Sequence, residues 1–139
     1  MKSKGASLEE VFSALADRTR LRLLNLMVPG EVCVCFFVSI LDELQPKVSR
    51  HLAALRQTGL VEARRDGKWI HYRIANALPQ PVKLILEAVF ESLKNDSAMI
   101  KERAALQRVC CSTKLPGTLR RAPRPVLAQP EQVPVVPSR

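Results

Sequence analysis

The dipeptide Asp66-Gly67 does more than any other pair of residues to limit what this chain can build. It separates two runs, 60–65 and 69–74, and Asp-Gly in that setting is the strongest short signal for a β-hairpin. A helix precedes it. Pro46 stands where proline is favoured, in a first helical turn, and Val48, Leu52 and Leu55 supply the buried face. Gly59 ends it. Upstream, Val34, Phe37, Val38 and Leu41 form another helical stripe, and only Asp42-Glu43-Leu44 divides the two. Two helices joined by a tight turn and followed by a hairpin predict a helix-turn-helix with a wing.

Three more helices complete the expected order of helix, helix, helix, turn, helix, hairpin, long helix. Ser7-Leu8-Glu9-Glu10 has the pattern of a capping box, with Leu8, Val11, Phe12 and Leu15 after it at helical spacing. Asp17 caps a second helix whose Leu21, Leu23, Leu24, Leu26 and Met27 are apolar on several sides, which predicts a central position. Pro29-Gly30 stops it. Pro79 and Pro81 introduce a long amphipathic helix carrying Val82, Ile85, Leu86, Val89, Phe90 and Leu93. The first and last helices present apolar faces that either join two copies as a homodimer or complete the monomer core.

The fold class is thus mainly α with a β-hairpin wing. Residues 1–111 form the expected DNA-binding and dimerisation domain. Residues 112–139 read as a Pro-rich basic tail in extended or disordered states: six prolines interrupt every period. Lys114, Arg120, Arg121, Arg124 and Arg139 against Glu131 give that tail a net charge of +4, which either holds DNA loosely or is merely solvated.

The chain of 139 residues has a net charge of +9, which points to an anionic partner. No run approaches the roughly 18 apolar residues that span a bilayer, and the start lacks a signal-peptide core, so the expected location is cytoplasmic, with no membrane partner. Between residues 45 and 73 the net charge is +5, the same as that of residues 1–111 as a whole, so the positive charge of the expected domain lies on the reading helix and wing. On the helix face opposite Val48, Leu52 and Leu55 stand Lys47, Arg50 and His51, flanked by Gln45 and Ser49. The wing tip adds Arg64, Arg65 and Lys68, with His71 and Arg73 on the return strand. These donors and acceptors suit base edges and phosphates of double-stranded operator DNA.

Four cysteines, Cys33, Cys35, Cys110 and Cys111, occur in two close pairs. In a reducing compartment such clusters bind metals or react with oxidants more often than they form structural disulfides. Around the first pair the chain resembles the ArsR/SmtB family of metal-responsive winged-helix repressors, over about residues 8–93. Leu15-Ala16-Asp17-Arg18-Thr19-Arg20-Leu21-Arg22-Leu23-Leu24 is similar to the family's second helix, which more often has proline where Arg18 stands. Glu31-Val32-Cys33-Val34-Cys35 resembles the arsenic-sensing form of its metal box. Gln45-Pro46-Lys47-Val48-Ser49-Arg50-His51-Leu52 and Gly67-Lys68-Trp69-Ile70-His71-Tyr72-Arg73 resemble its reading helix and wing.

The resemblance implies a homodimeric transcriptional repressor, not an enzyme, with Gln45, Ser49 and Arg50 on DNA. It implies release when arsenite or antimonite, an inducer rather than a catalytic cofactor, binds the thiolates of Cys33 and Cys35. In arsenic sensors of this kind a third cysteine commonly follows; here the position is Val38. Arsenic(III) prefers three soft ligands. Cys110 and Cys111 are candidates to complete the set, from either subunit, or to form the main site. The last helix has no histidine for the zinc-type site of the family. Residues i and i+2 of a helix point apart, so Cys33 and Cys35 are expected to share one ligand only if that first turn unwinds. The alternative reading is a repressor of the same fold whose thiols sense oxidants. A thiol enzyme or metalloid carrier lacks a base set for a cysteine nucleophile.

Overall fold

A computed structural model describes residues 5–111, 119 and 122–125. The elements run α1 (Leu8–Leu15), α2 (Arg18–Met27), β1 (Val32–Cys33), α3 (Val34–Leu41), α4 (Gln45–Gln57), β2 (Val61–Asp66), β3 (Trp69–Ile74), α5 (Gln80–Leu93) and α6 (Ser97–Cys111). The capping box of α1 is present in both directions: the Glu10 N–H donates to Ser7 Oγ at 3.1 Å, and the Ser7 N–H to Glu10 Oε1 at 2.8 Å. Asp17 caps α2 by accepting from the Arg20 N–H at 3.0 Å. Leu23, Leu24, Leu26 and Met27 are all buried, so α2 is central as its apolar pattern predicts.

The turn from α3 to α4 is made by one residue in the left-handed region. Asp42, at φ 54°, caps α3 with its N–H on the Val38 carbonyl, and Leu44 then opens α4 with extended backbone. Val48, Leu52 and Leu55 of α4 are fully buried. Gly59, at φ +80°, closes the helix with the Leu60 N–H on the Leu55 carbonyl. The wing pairs from Val61↔Ile74 to Asp66↔Trp69, with Gly67 at φ +61° in the turn.

Two elements go beyond the expected order. The short strand β1 pairs antiparallel with β3 in the registers Val32↔Tyr72 and Cys33↔His71, giving a three-stranded sheet of order β1-β3-β2. The chain after α5 also forms a helix, α6, where the sequence reading places the last helix at Leu93. Asp96 caps α6, accepting from the Ala98 and Met99 N–H groups. Met99 and Leu106 are buried against the core. Asn25 Nδ2 donates to the Met99 carbonyl at 3.0 Å, and Arg22 grips Glu102 at 2.5 Å. Arg18 makes a bidentate pair with Asp96 at 2.8 and 3.0 Å. The residue that departs from the family's usual proline is thus a tie between α2 and α6.

Most of 112–139, expected as a tail, lies outside the described residues. Within it Leu119 and Ala122 are buried against the core. No helix among the described residues is long and apolar enough to cross a membrane.

Candidate nucleic-acid interface and thiol pair

Helix α4 buries one face and leaves Gln45, Ser49 and Arg50 exposed on the other. Lys47 shares that side, its ammonium 3.0 Å from Glu43 Oε1 one turn back. His51 does not join them. Its side chain is only 13% exposed, with Nδ1 3.2 Å from Arg20 Nη1 and 3.9 Å from Asp17 Oδ1. Burial holds its pKa below the ordinary histidine value, against the pull of Asp17. Arg20 also donates to the carbonyls of Ala14 and Ser13, so His51 belongs to the contact among α1, α2 and α4. A residue at i+4 from Lys47 lies far enough round the helix to meet α2.

The wing divides its cations. Arg64 is held by Glu31, with Nη2 2.7 Å from Oε1, and this pair keeps the Glu31 carboxyl below its ordinary value. Arg73 pairs with Glu62 at 2.8 Å. Arg65 and Lys68 are exposed, and the Lys68 ammonium lies 5.1 Å from the centre of the Trp69 ring. Gln45, Lys47, Ser49 and Arg50 on α4, with Arg65 and Lys68 at the hairpin tip, therefore form a polar, mainly cationic surface.

The first cysteine pair differs from its expected geometry. Cys33 is not helical: it is the extended cap residue of α3, at φ −73° and ψ 146°, and belongs to β1. The change from strand to helix between positions 33 and 35 turns both side chains the same way. Cys35 Sγ lies 3.3 Å from Cys33 Sγ, so no unwinding is needed to bring the thiols together. This corrects the expectation that the two could meet only if the turn opened. The Cys35 S–H donated to Cys33 pulls the Cys33 thiol down to about 6, helped by the N–H groups of Cys35 and Ile70 and opposed by burial. The same bond, with burial, pushes Cys35 up. The pair thus presents one thiolate-prone sulfur and one thiol, a donor set suited to a soft, thiophilic centre.

His71, opposite Cys33 across the sheet, is 5% exposed. Its Nδ1 is 4.0 Å from Glu31 and its Nε2 3.8 Å from Asp66, and Nε2 has no hydrogen-bond partner among the described residues. The sequence places it on the return strand. That it faces inward beside Cys33 follows from a pairing with β1 that two residues of strand cannot announce. The second cysteine pair lies in the last turn of α6. Cys110 is half-buried and donates to the Pro125 carbonyl at 3.1 Å. Cys111 is within α6. Among the described residues, no three His, Cys, Asp or Glu side chains are arranged to hold one metal ion.

A sequence model of the family described as "Bacterial regulatory protein, arsR family" matches residues 17–63, from the cap of α2 into the wing. The "Arsenical resistance operon repressor" of Escherichia coli K12 is 48% identical over 81 residues, covering 57% of this chain and 69% of that protein. The "Arsenic resistance transcriptional regulator ArsR2" of Pseudomonas putida is 37% identical over 110 residues, covering 73% of this chain and 96% of that protein. Among solved structures, the homodimeric winged helix-turn-helix DNA-binding domain Mb0332 of Mycobacterium bovis superposes with a TM-score of 0.53. It is 32% identical and covers 65% of this chain and 80% of that one. With its reading helix, wing and sequence in agreement, the chain belongs to the ArsR family of bacterial regulatory proteins, which are DNA-binding transcription regulators on the winged helix-turn-helix fold.

Proposed function

We propose that this chain is a repressor that binds double-stranded operator DNA as a homodimer and releases it when arsenite or antimonite is taken up by Cys33 and Cys35. The observation that carries the reading is the 3.3 Å approach of the two sulfurs at the start of α3. A soft centre with two sulfurs at about 2.3 Å would separate them by roughly 3.3–3.8 Å, for angles from a right angle to tetrahedral. The pair is therefore set close to the spacing that shared ligation requires. The relatives named for arsenic resistance support the same inducer class.

Gln45, Lys47, Ser49 and Arg50 enter the major groove, and Arg65 and Lys68 reach the flanking backbone. Arg64 contacts DNA only by sharing or leaving Glu31. His51 positions α4 from behind and touches no base. For dimerisation, Leu8 and Phe12 of α1 and Leu84 of α5 are 56%, 52% and 54% exposed, apolar surface that a second copy would cover. Cys110 and Cys111 stand outside the primary inducer set.

The test is fluorescence anisotropy of the full chain on labelled DNA from its own upstream region, titrated with arsenite, antimonite, cadmium, zinc and peroxide. Release by arsenite and antimonite is expected. In Cys33→Ser/Cys35→Ser, DNA binding should persist and release should stop. Release by peroxide alone would favour oxidant sensing. Unchanged release in the double variant would move the site to Cys110 and Cys111.

A further inference from the structure

A cavity of about 290 Å³ lies where α5 meets α2 and α6. Phe90 and Leu93 of α5, Met99 and Ile100 of α6, and Val28 at the end of α2 give it apolar walls. Leu93 and Met99 are buried, while Ile100 is 53% exposed and leaves an edge open to solvent. Arg103 follows Met99 by four residues, so both stand on the same side of α6, and its half-buried side chain lines the cavity beside Asn25. Among the described residues its partner is the Asn25 carbonyl, at a long 3.4 Å, and no carboxylate pairs with it. The acids nearest in sequence or along the rim are engaged elsewhere: Glu102 with Arg22, and Glu91 with Lys94 at 3.1 Å. Burial lowers the Arg103 pKa, with no opposing pull from Glu87 or Glu91 on the α5 wall.

A guanidinium held partly out of water without an anion is costly, and its planar fork of N–H donors matches a carboxylate. An apolar cavity of about 150 Å³ holds one benzene, so the space here suits a fused pair of rings or a short chain of similar bulk. We propose that this cavity binds a small organic acid, with its carboxylate on Arg103 and its apolar body among Phe90, Leu93, Met99 and Ile100. The body leaves water for surface that is already apolar, and one charged group at one end fixes its orientation. The other candidate occupant is a second copy of the chain. Leu84, the exposed α5 residue assigned above to the dimer face, does not line this cavity. No cysteine lines it either, so the site stands apart from the thiol pair and does not depend on the reading of the inducer.

The experiment titrates the full chain with 2-naphthoate by isothermal calorimetry, beside 2-naphthamide, its neutral counterpart, and 2-naphthylmethylammonium, its cationic one. One naphthoate per chain is expected, with a Kd under about 1 mM, the scale for a ligand of this size. The amide should bind at least about tenfold more weakly, the scale of one hydrogen bond between charged groups, and the cation more weakly still. Arg103→Met keeps the apolar stem and removes the charge; it should abolish the advantage of naphthoate over the amide and leave the amide unchanged. Ile100→Glu, at an exposed position, puts a carboxylate on the open edge and should weaken naphthoate at least about tenfold. Thermal midpoints of both variants show that they remain folded. No binding of naphthoate, equal affinity for all three compounds, or binding that Arg103→Met leaves unchanged would overturn the proposal. Binding that appears only when dilution separates the dimer would give the cavity to the second copy and overturn it as well.

Discussion

Replacing Leu106 by alanine tests whether α6 is part of the core. Leu106 is fully buried, on a helix packed against α2 and α3. Truncating a buried leucine removes its transfer free energy and leaves a cavity, at a cost of about 2–5 kcal/mol. Helix α6 follows the rest of the domain and has more freedom to settle into the space, which favours the lower part of that range, about 2–4 kcal/mol. For a domain of just over 100 residues each kcal/mol lowers Tm by roughly 4 °C, so the midpoint should fall by about 8–16 °C. Urea unfolding followed by circular dichroism gives the free energy directly, with all variants at one protein concentration because dimer dissociation would otherwise add to the difference. Ile100→Ala, on the same helix but 53% exposed, is the control and should cost under about 1 kcal/mol. If Leu106→Ala behaves like Ile100→Ala, α6 is not docked as described, and the ties from Arg18, Arg22 and Asn25 are not holding it.

Three further outcomes follow from the geometry. Arg50→Ala should cost about 1–3 kcal/mol of operator affinity and reduce the salt slope of binding by about 1, whereas Arg64→Ala should do less because Glu31 already holds its guanidinium; anisotropy across a salt series separates them. The Cys33 thiol should ionise near 6 by ultraviolet thiolate absorbance and return towards the ordinary 9.0 in Cys35→Ala; because its folded pKa is lowered, its contribution to stability is complete above 9.0 and lost as pH falls through about 6. Asp96, held near 2 by Arg18, contributes stability that is present above 3.8 and lost as pH falls through about 2, and Asp96→Asn should flatten that part of the acid unfolding curve.

What the sequence disclosed was local in cause. The Ser7 capping box, the Asp17 cap, Pro46 in the first turn of α4, and Gly59 and Gly67 at positive φ each depend on residues within a few positions of one another. Helix α6 escaped because its burial depends on partners far away in sequence. Among its described side chains only Met99 and Leu106 are fully buried, seven residues apart, and its ties come from about 80 positions earlier: Arg22 to Glu102, Asn25 to the Met99 carbonyl and Arg18 to the capping Asp96. A polar helix with two anchors has too faint a stripe to register as amphipathic. His51 misled for a related reason: its spacing from Lys47 suits a shared face, yet Arg20 and Asp17 draw it inward.

The thiol pair shows the same limit and changes the account of switching. With Cys33 read as helical, sharing one ligand had to unwind a turn, which would have disturbed the helix leading to α4. With Cys33 in a strand, the sulfurs are already together, so the ligation proposed above requires no unwinding of the turn. A ligand shifts an equilibrium only by its difference in affinity between two states. That difference must then arise in what the pair connects. Cys33 is paired through β1 to His71 of the wing strand, while Cys35 begins the helix that passes through Asp42 into α4. A centre bonded to both sulfurs, as proposed above, would fix the angle between wing and reading helix, the two elements that would have to fit one stretch of DNA together. If the angle fixed by ligation differs from the angle DNA demands, the two ligands exclude each other without unfolding either element. A coupling of about 1–3 kcal/mol would suffice to weaken operator binding by roughly 5–150-fold. Arsenical binding should therefore lower operator affinity with no loss of helical circular dichroism; a loss of signal equivalent to one helical turn on binding would restore the unwinding account.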